Sequence, residues 1–71
     1  MFKEKSIKDQ FIEEVYYTLN GDYGYSLKNE ELPKEYIKVI EPWIKRAEKY
    51  NHIENDEVED ASDAIVKFNR K

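Results

Sequence analysis

The sequence predicts a mainly α-helical fold, in which a single small domain is built from three helices. Apolar residues recur at the spacing of one helical face over residues 7–19, 34–50 and 56–69. With 71 residues the chain has room for one domain with a small core, and it contains no cysteine for a disulfide or a thiolate metal site. Six Tyr, three Phe and one Trp supply apolar surface for that core and argue against a disordered chain.

The first helix is predicted over residues 7–19. Ser6 suits its N-cap, because a serine hydroxyl can accept a hydrogen bond from a backbone N–H of the first turn. Asn20 and Gly21 predict its end, because both residue types tolerate a positive φ. The residues of its apolar face are Ile7, Phe11, Ile12, Val15 and Leu19.

The connection over residues 20–32 admits two interpretations. Asn-Gly is a common dipeptide in two-residue β-hairpin turns, and the residues that follow alternate as they do in a strand. An α+β alternative therefore places a short β-hairpin around residues 15–27. An isolated hairpin is marginally stable, which favours an irregular loop in a three-helix fold. The alternating residues are Tyr23, Tyr25 and Leu27.

The second helix is predicted over residues 34–50, with Pro33 in its first turn. Pro42 lies inside this segment, and a proline normally kinks a helix because it lacks the N–H donor and clashes with the preceding turn. The apolar face keeps its phase across Pro42, so one kinked helix is expected. Its residues are Tyr36, Ile37, Val39, Ile40, Trp43, Ile44, Ala47 and Tyr50. A second copy of the chain could cover the part of this face around Trp43, which makes a homodimer a further possibility.

The third helix is predicted over residues 56–69, with Asn55 as its N-cap and an apolar face of Val58, Ala61, Ile65 and Phe68. Six of the ten residues in 54–63 are acidic. Acidic residues early in a helix also complement its dipole. The acidic residues are Glu54, Asp56, Glu57, Glu59, Asp60 and Asp63.

Enzymatic chemistry is not indicated by the sequence. The single histidine, His52, has no clustered partner residues, and the two glycines lack the strand–loop–helix context of a phosphate-binding loop. We therefore expect no catalytic residues, no cofactor and no metal site. The N-terminal residues lack the apolar run of a signal peptide, and no stretch is long enough to span a membrane, so a cytoplasmic protein is expected.

The acidic run predicts a binding surface for a basic protein. Carboxylates three and four residues apart on a helix form a regular row, which approximates the phosphate row of a nucleic-acid strand. Tyr23 and Tyr25 are candidate anchors beside it, because tyrosine gives a large contact area with a polar tip. A net charge of −4 disfavours direct binding to nucleic acid. The simpler interpretation is that these carboxylates only keep the chain soluble.

The alternative function is a small nucleic-acid-binding or transcription-regulating module that uses the second helix. A stripe of lysines there could follow a phosphate backbone. Glu41 precedes Lys45 by four residues, however, and this spacing favours an ion pair within the stripe. The lysines are Lys34, Lys38, Lys45 and Lys49.

The chain as a whole resembles the small host-takeover proteins of lytic bacteriophages. The resemblance rests on its short length, its lack of cysteine, its richness in Lys, Glu and Tyr, and the sequence ENDEVEDASD at residues 54–63. Several such proteins are DNA mimics, and one group of them blocks bacterial nucleoid proteins of the HU type. The resemblance implies a non-enzymatic inhibitor that acts in the host cytoplasm by binding a basic DNA-binding protein.

Overall fold

The computed structural model describes residues 5–70 and contains three helices: α1 (Ile7–Asp22), α2 (Lys34–Tyr50) and α3 (Asn55–Asn69). Each helix packs against both of the others. No β-strand occurs in the described part of the chain. The mainly helical prediction is therefore confirmed, and the alternative with a β-hairpin around residues 15–27 is wrong.

The core lies where the three helices meet, and Leu32 of the α1–α2 loop closes it. The other buried apolar residues are Phe11, Val15, Leu19, Ile40, Ile44, Ala47, Val58, Ala61 and Ile65. They all lie on the predicted apolar faces, but two residues predicted on those faces, Tyr50 and Phe68, are exposed. Phe68, predicted on the apolar face of the third helix, is 39% exposed, and its ring meets the edge of Tyr36 at 6.4 Å between centroids.

The first helix begins at the predicted cap and ends later than predicted. The Ser6 Oγ accepts a hydrogen bond from the Asp9 backbone N–H at 3.1 Å. The helix continues through Asn20 and Gly21 to Asp22. Gly24, with φ of 73°, then turns the chain, and the backbone N–H of Tyr25 donates to the Leu19 carbonyl at 3.0 Å. The positive φ that the sequence suggested for Asn20-Gly21 is thus adopted by Gly24.

Asn20 fixes the loop after α1 through its side chain. Its Oδ1 accepts from the Leu27 backbone N–H at 3.0 Å, and its Nδ2 donates to the Leu27 carbonyl at 3.2 Å. The Tyr16 hydroxyl donates to the same carbonyl at 3.0 Å. Tyr25 and Leu27 contact the core while Ser26 between them is exposed, so side chains alternate between core and solvent over these three residues as in a strand. The partner of this extended segment is an amide side chain rather than a second strand, which explains why the hairpin interpretation failed.

We expect Asn20→Ala to destabilise the domain by about 1–3 kcal/mol, because the change leaves the Leu27 backbone N–H without its partner, while the Leu27 carbonyl keeps only its hydrogen bond from Tyr16. Urea unfolding followed by circular dichroism measures the effect. Asn55→Ala is the matched control, since Asn55 is exposed at the start of α3. Equal midpoints for the two variants would contradict the assigned role of the Asn20 amide.

The rest of the loop turns sharply before α2. Asn29 and Glu30 both have positive φ, 63° and 53°, and the Glu31 N–H donates to the Lys28 carbonyl at 3.3 Å, as in a type I′ turn. The exposed Tyr17 donates a hydrogen bond from its hydroxyl to the Glu30 carboxylate. The left-handed conformation at Glu30 is therefore held by a side-chain contact to α1.

The second helix matches its prediction from Lys34 to Tyr50 and is continuous through Pro42. The predicted kink is not confirmed. Pro42 is exposed, so the carbonyl that loses its N–H partner lies on the solvent side of the helix. Pro33 occupies the N-cap rather than the first turn. Asn51 ends the helix in the left-handed conformation with φ of 52°, which is a common helix stop.

The third helix begins one residue earlier than predicted. Glu54 is its N-cap and Asn55 is its first residue, and no side chain caps it. Ser62 is fully buried on this helix, and its hydroxyl donates to the Val58 carbonyl at 2.8 Å. The buried side of α3 is thus set by Val58, Ala61, Ser62 and Ile65, which turns the acidic residues of its first half outward.

Candidate functional site

The acidic residues of α3 form an ordered surface. Glu54, Asp56, Glu59 and Asp60 are exposed, and Glu57 and Asp63 are partly buried. We call these six residues the acidic surface. Because the opposite side of α3 is packed into the core, the backbone that carries the charges is held in one orientation. Fixed positions let several carboxylates act on one partner at once.

Three of the six carboxylates have basic partners close by. Glu54 Oε1 lies 3.2 Å from His52 Nε2, Glu57 Oε2 lies 3.9 Å from Arg46 Nη1, and Asp63 Oδ2 lies 3.1 Å from Lys67 Nζ. Pairs of this kind at a surface contribute little to stability. The ion pairs within residues 5–70 do not include the other three carboxylates, which are Asp56, Glu59 and Asp60. These three leave negative charge on the surface for a partner to neutralise.

Tyr23, the C-cap of α1, has 37% of its area exposed and is close enough to α3 for carboxylates of the acidic surface to act on its hydroxyl. Partial burial raises the pKa of its hydroxyl above 10.0, and four nearby carboxylates raise that pKa further. In decreasing order these carboxylates belong to Asp63, Glu59, Asp22 and Asp60. We call Tyr23 and these four residues the Tyr23 cluster. Asp22 was missed in the sequence because its closeness to α3 depends on where α1 ends.

Tyr25, the second predicted anchor, is half-buried in the packing between the loop and the helices. Its hydroxyl accepts a hydrogen bond from Asn69 Nδ2 at 2.9 Å, and its ring meets the edge of Tyr36 at 6.4 Å between centroids. Asn69 also donates to the Tyr36 hydroxyl at 2.8 Å. These contacts tie the loop to α2 and α3, so the exposed aromatic ring at the acidic surface is that of Tyr23.

The lysine stripe of α2 carries mixed charge. Lys34, Lys38, Lys45 and Lys49 are all exposed. Glu41 Oε1 lies 3.7 Å from Lys45 Nζ, as the four-residue spacing predicted. An internally paired surface of this kind is less suited to tracking a phosphate backbone than an unbroken row of cations would be.

The described residues contain neither a metal-site cluster nor a membrane-spanning helix. Among the residues that the structure describes, no three or more carboxylate and histidine side chains are grouped as a metal site would need. No helix in the same part of the chain has the length and apolar character to cross a membrane. Comparison with protein families, with curated proteins and with solved structures gave no match. The function must be inferred from the surface chemistry of this chain.

We expect Tyr23 to ionise at a higher pH than the 10.0 of an ordinary tyrosine. Because its folded pKa is raised, its contribution to stability is complete below pH 10.0 and is lost as the pH rises through the folded pKa. The difference in tyrosinate absorbance between the wild type and Tyr23→Phe isolates this titration. Asp63→Asn should move it toward lower pH, whereas Glu14→Gln on the exposed side of α1 should leave it in place. Equal curves for these two variants would contradict the Tyr23 cluster.

Proposed function

We propose that this chain binds a basic, nucleic-acid-binding protein through the acidic surface and Tyr23, and thereby blocks the nucleic-acid site of that protein. The observation that carries the proposal is the Tyr23 cluster. Carboxylates of two helices act on the hydroxyl of one exposed tyrosine, and half of the acidic surface has no basic partner within the described residues.

The spacing of the carboxylates supports mimicry of a phosphate row. Asp56, Asp60 and Asp63 follow one another at four and three residues on α3, which corresponds to about 6 and 4.5 Å along the axis at 1.5 Å per residue. Phosphates advance by about 3.4 Å along one DNA strand. Lysines and arginines that reach for neighbouring phosphates can therefore also reach neighbouring carboxylates of this helix.

Tyr23 adds a contact that a row of charges lacks. An arginine guanidinium stacks on a tyrosine ring and is attracted by its negative face. The Tyr23 hydroxyl is protonated at neutral pH, as in any tyrosine, so it can act as a hydrogen-bond donor as well as an acceptor. A partner arginine over this ring would have Asp63 and Glu59 within reach, which favours arginine over lysine at this point of the interface.

The mechanism is competition for one basic groove. Exposed charges steer the encounter and raise the association rate, and screening within about 10 Å at 0.1 M salt lowers this gain. The chain need not change its shape, because the acidic surface is already ordered on a packed helix.

A displacement experiment tests the proposal. A labelled DNA duplex is bound to a purified bacterial nucleoid protein of the HU type, the partner class that the resemblance implies, and this chain is then added. We expect DNA to be released in a dose-dependent manner that weakens as salt is raised, with no binding of this chain to DNA alone. Failure to release DNA would reject this partner class. A shift of free DNA by this chain would instead support the alternative function through the α2 lysines.

A further inference from the structure

An apolar groove runs between α2 and α3. Two open depressions lie along this face, one of about 350 Å³ lined by both helices and one of about 310 Å³ lined by α2 alone. Val39, Ala64 and Phe68 contribute apolar surface to the first, and Pro42 and Trp43 to the second. Because residues four apart are neighbours on a helix, Val39 and Trp43 join the two depressions into one strip.

The two helices that form the groove run in opposite directions. Arg46 lies beside Glu57 at one end, and Tyr36 lies beside Phe68 toward the other. Viewed along the groove, acidic and basic residues follow in opposite order on the two helices. The second half of α2 carries Arg46 and Lys49, opposite the acidic first half of α3. Glu35 at the start of α2 lies level with the basic end of α3, where Lys67 and Arg70 flank Phe68.

We propose that this groove is the interface of a homodimer. A two-fold axis that runs along the groove places α2 of each copy on α3 of the other, at the same level along the axis. Arg46 and Lys49 of one copy then meet Asp56 and Asp60 of the other, and the apolar strips cover one another. The second copy thus matches the groove in both charge and polarity. This inference does not rest on the proposed function.

Arg46 is the central charge of this interface. Its side chain is 64% exposed, and its Nη1 is 3.9 Å from Glu57, beyond hydrogen-bonding distance. A guanidinium has five N–H donors, so it can contact a carboxylate of the second copy while staying near Glu57. Lys38 is the exception, because the same axis brings it near Lys67 of the second copy. Both of these lysines are exposed, which keeps their repulsion screened.

In the dimer Tyr23, Glu59 and Asp63 stay accessible, whereas Asp60 of the Tyr23 cluster and its neighbour Asp56 face the second copy. Glu59 and Asp63 lie on the side of α3 next to Tyr23, whereas the groove lies on its other side, next to α2. The length of the paired helices limits the area that the dimer can bury. A helix of 17 residues is about 25 Å long, so the buried face is small and the dimer should form reversibly with concentration.

Analytical ultracentrifugation over micromolar to millimolar concentrations tests the dimer. We expect the wild type to reach twice the chain mass of 8.6 kDa at the high end. Arg46→Glu and Asp60→Arg should each weaken self-association by about tenfold or more, because each creates two like-charge contacts across the axis. An equimolar mixture of these two variants should regain the dimer, since both contacts of the mixed pair are then between opposite charges.

Controls keep the test independent of folding and of the proposed function. Helix content is measured for every variant, and Glu14→Lys reverses an exposed charge on α1 without an effect on assembly. Ala64→Arg blocks the groove by bulk and should abolish the dimer even if one charge variant fails to fold. A wild type that stays monomeric throughout overturns the inference, and so does a mixture that fails to regain the dimer. DNA displacement plays no part in these measurements, so either proposal can fail alone.

Discussion

Replacing Asp56, Asp60 and Asp63 together with Asn is expected to weaken binding to a basic partner by about 10- to 100-fold. Three charge contacts of roughly 0.5–1 kcal/mol each give about 1.5–3 kcal/mol, and 1.4 kcal/mol is a factor of ten. The loss should appear first in the association rate, because these exposed charges steer the encounter. Displacement of DNA from the nucleoid protein at low and at moderate salt measures it. The difference from the wild type should shrink as salt rises.

A matched variant tests whether the position of the lost charges matters or only the net charge of the chain. Glu14, Glu31 and Glu48 are exposed on α1, the α1–α2 loop and α2, and changing all three to Gln alters the net charge by the same three units. We expect this variant to displace DNA nearly as well as the wild type. Equal losses in the two triple variants would mean that net charge alone acts, and retained binding after the Asp changes would reject the acidic surface.

The helices could be predicted from sequence because their signals are local. The bounds of α2 follow from a continuous apolar face, and Ser6 acts as the predicted cap of α1. The continuity of α2 through Pro42 was also readable, since the apolar residues keep one phase on both sides of it. Burial of a face is what stabilises a helix in a protein of this size, so an in-phase face outweighs one missing hydrogen bond.

The loop after α1 could not be predicted because its contacts are not local. Asn20 favours turns by its backbone preferences, yet in the structure it is helical and its side chain binds Leu27. That choice depends on Leu27 and Tyr25 packing against the core, which no single segment reveals. The same contacts explain why Tyr25 is half-buried while Tyr23 is left at the surface.

The candidate site shows the same division between local and non-local signals. The angular positions of the acidic residues on α3 were sufficient to predict that they face outward, because the helix period fixes which residues share a side. The closeness of Tyr23 and Asp22 to α3 needed the tertiary fold, since it depends on where α1 ends and how it packs on α3. The sequence pattern thus predicts which side of α3 carries the charges, whereas the Tyr23 cluster becomes visible only in the packed structure.

Phe11→Ala is expected to be the most destabilising single change in the domain. Phe11 is fully buried among the three helices, and removal of a buried phenyl ring costs about 3–5 kcal/mol. A domain of 71 residues has about 4–11 kcal/mol in total at 0.05–0.15 kcal/mol per residue, so the variant should lose a large part of its stability and unfold at a much lower urea concentration than the wild type. Circular dichroism against urea measures the loss.

Phe68→Ala removes the same side-chain atoms at a site that is 39% exposed, and it is the matched control for Phe11→Ala. We expect it to cost less than half as much, because its ring contacts Tyr36 on one edge and solvent on another, and no closed cavity is left behind. Comparison at micromolar protein keeps self-association through the groove from adding to its stability. If both variants unfold at the same urea concentration, Phe11 does not hold the three helices together as the packing indicates.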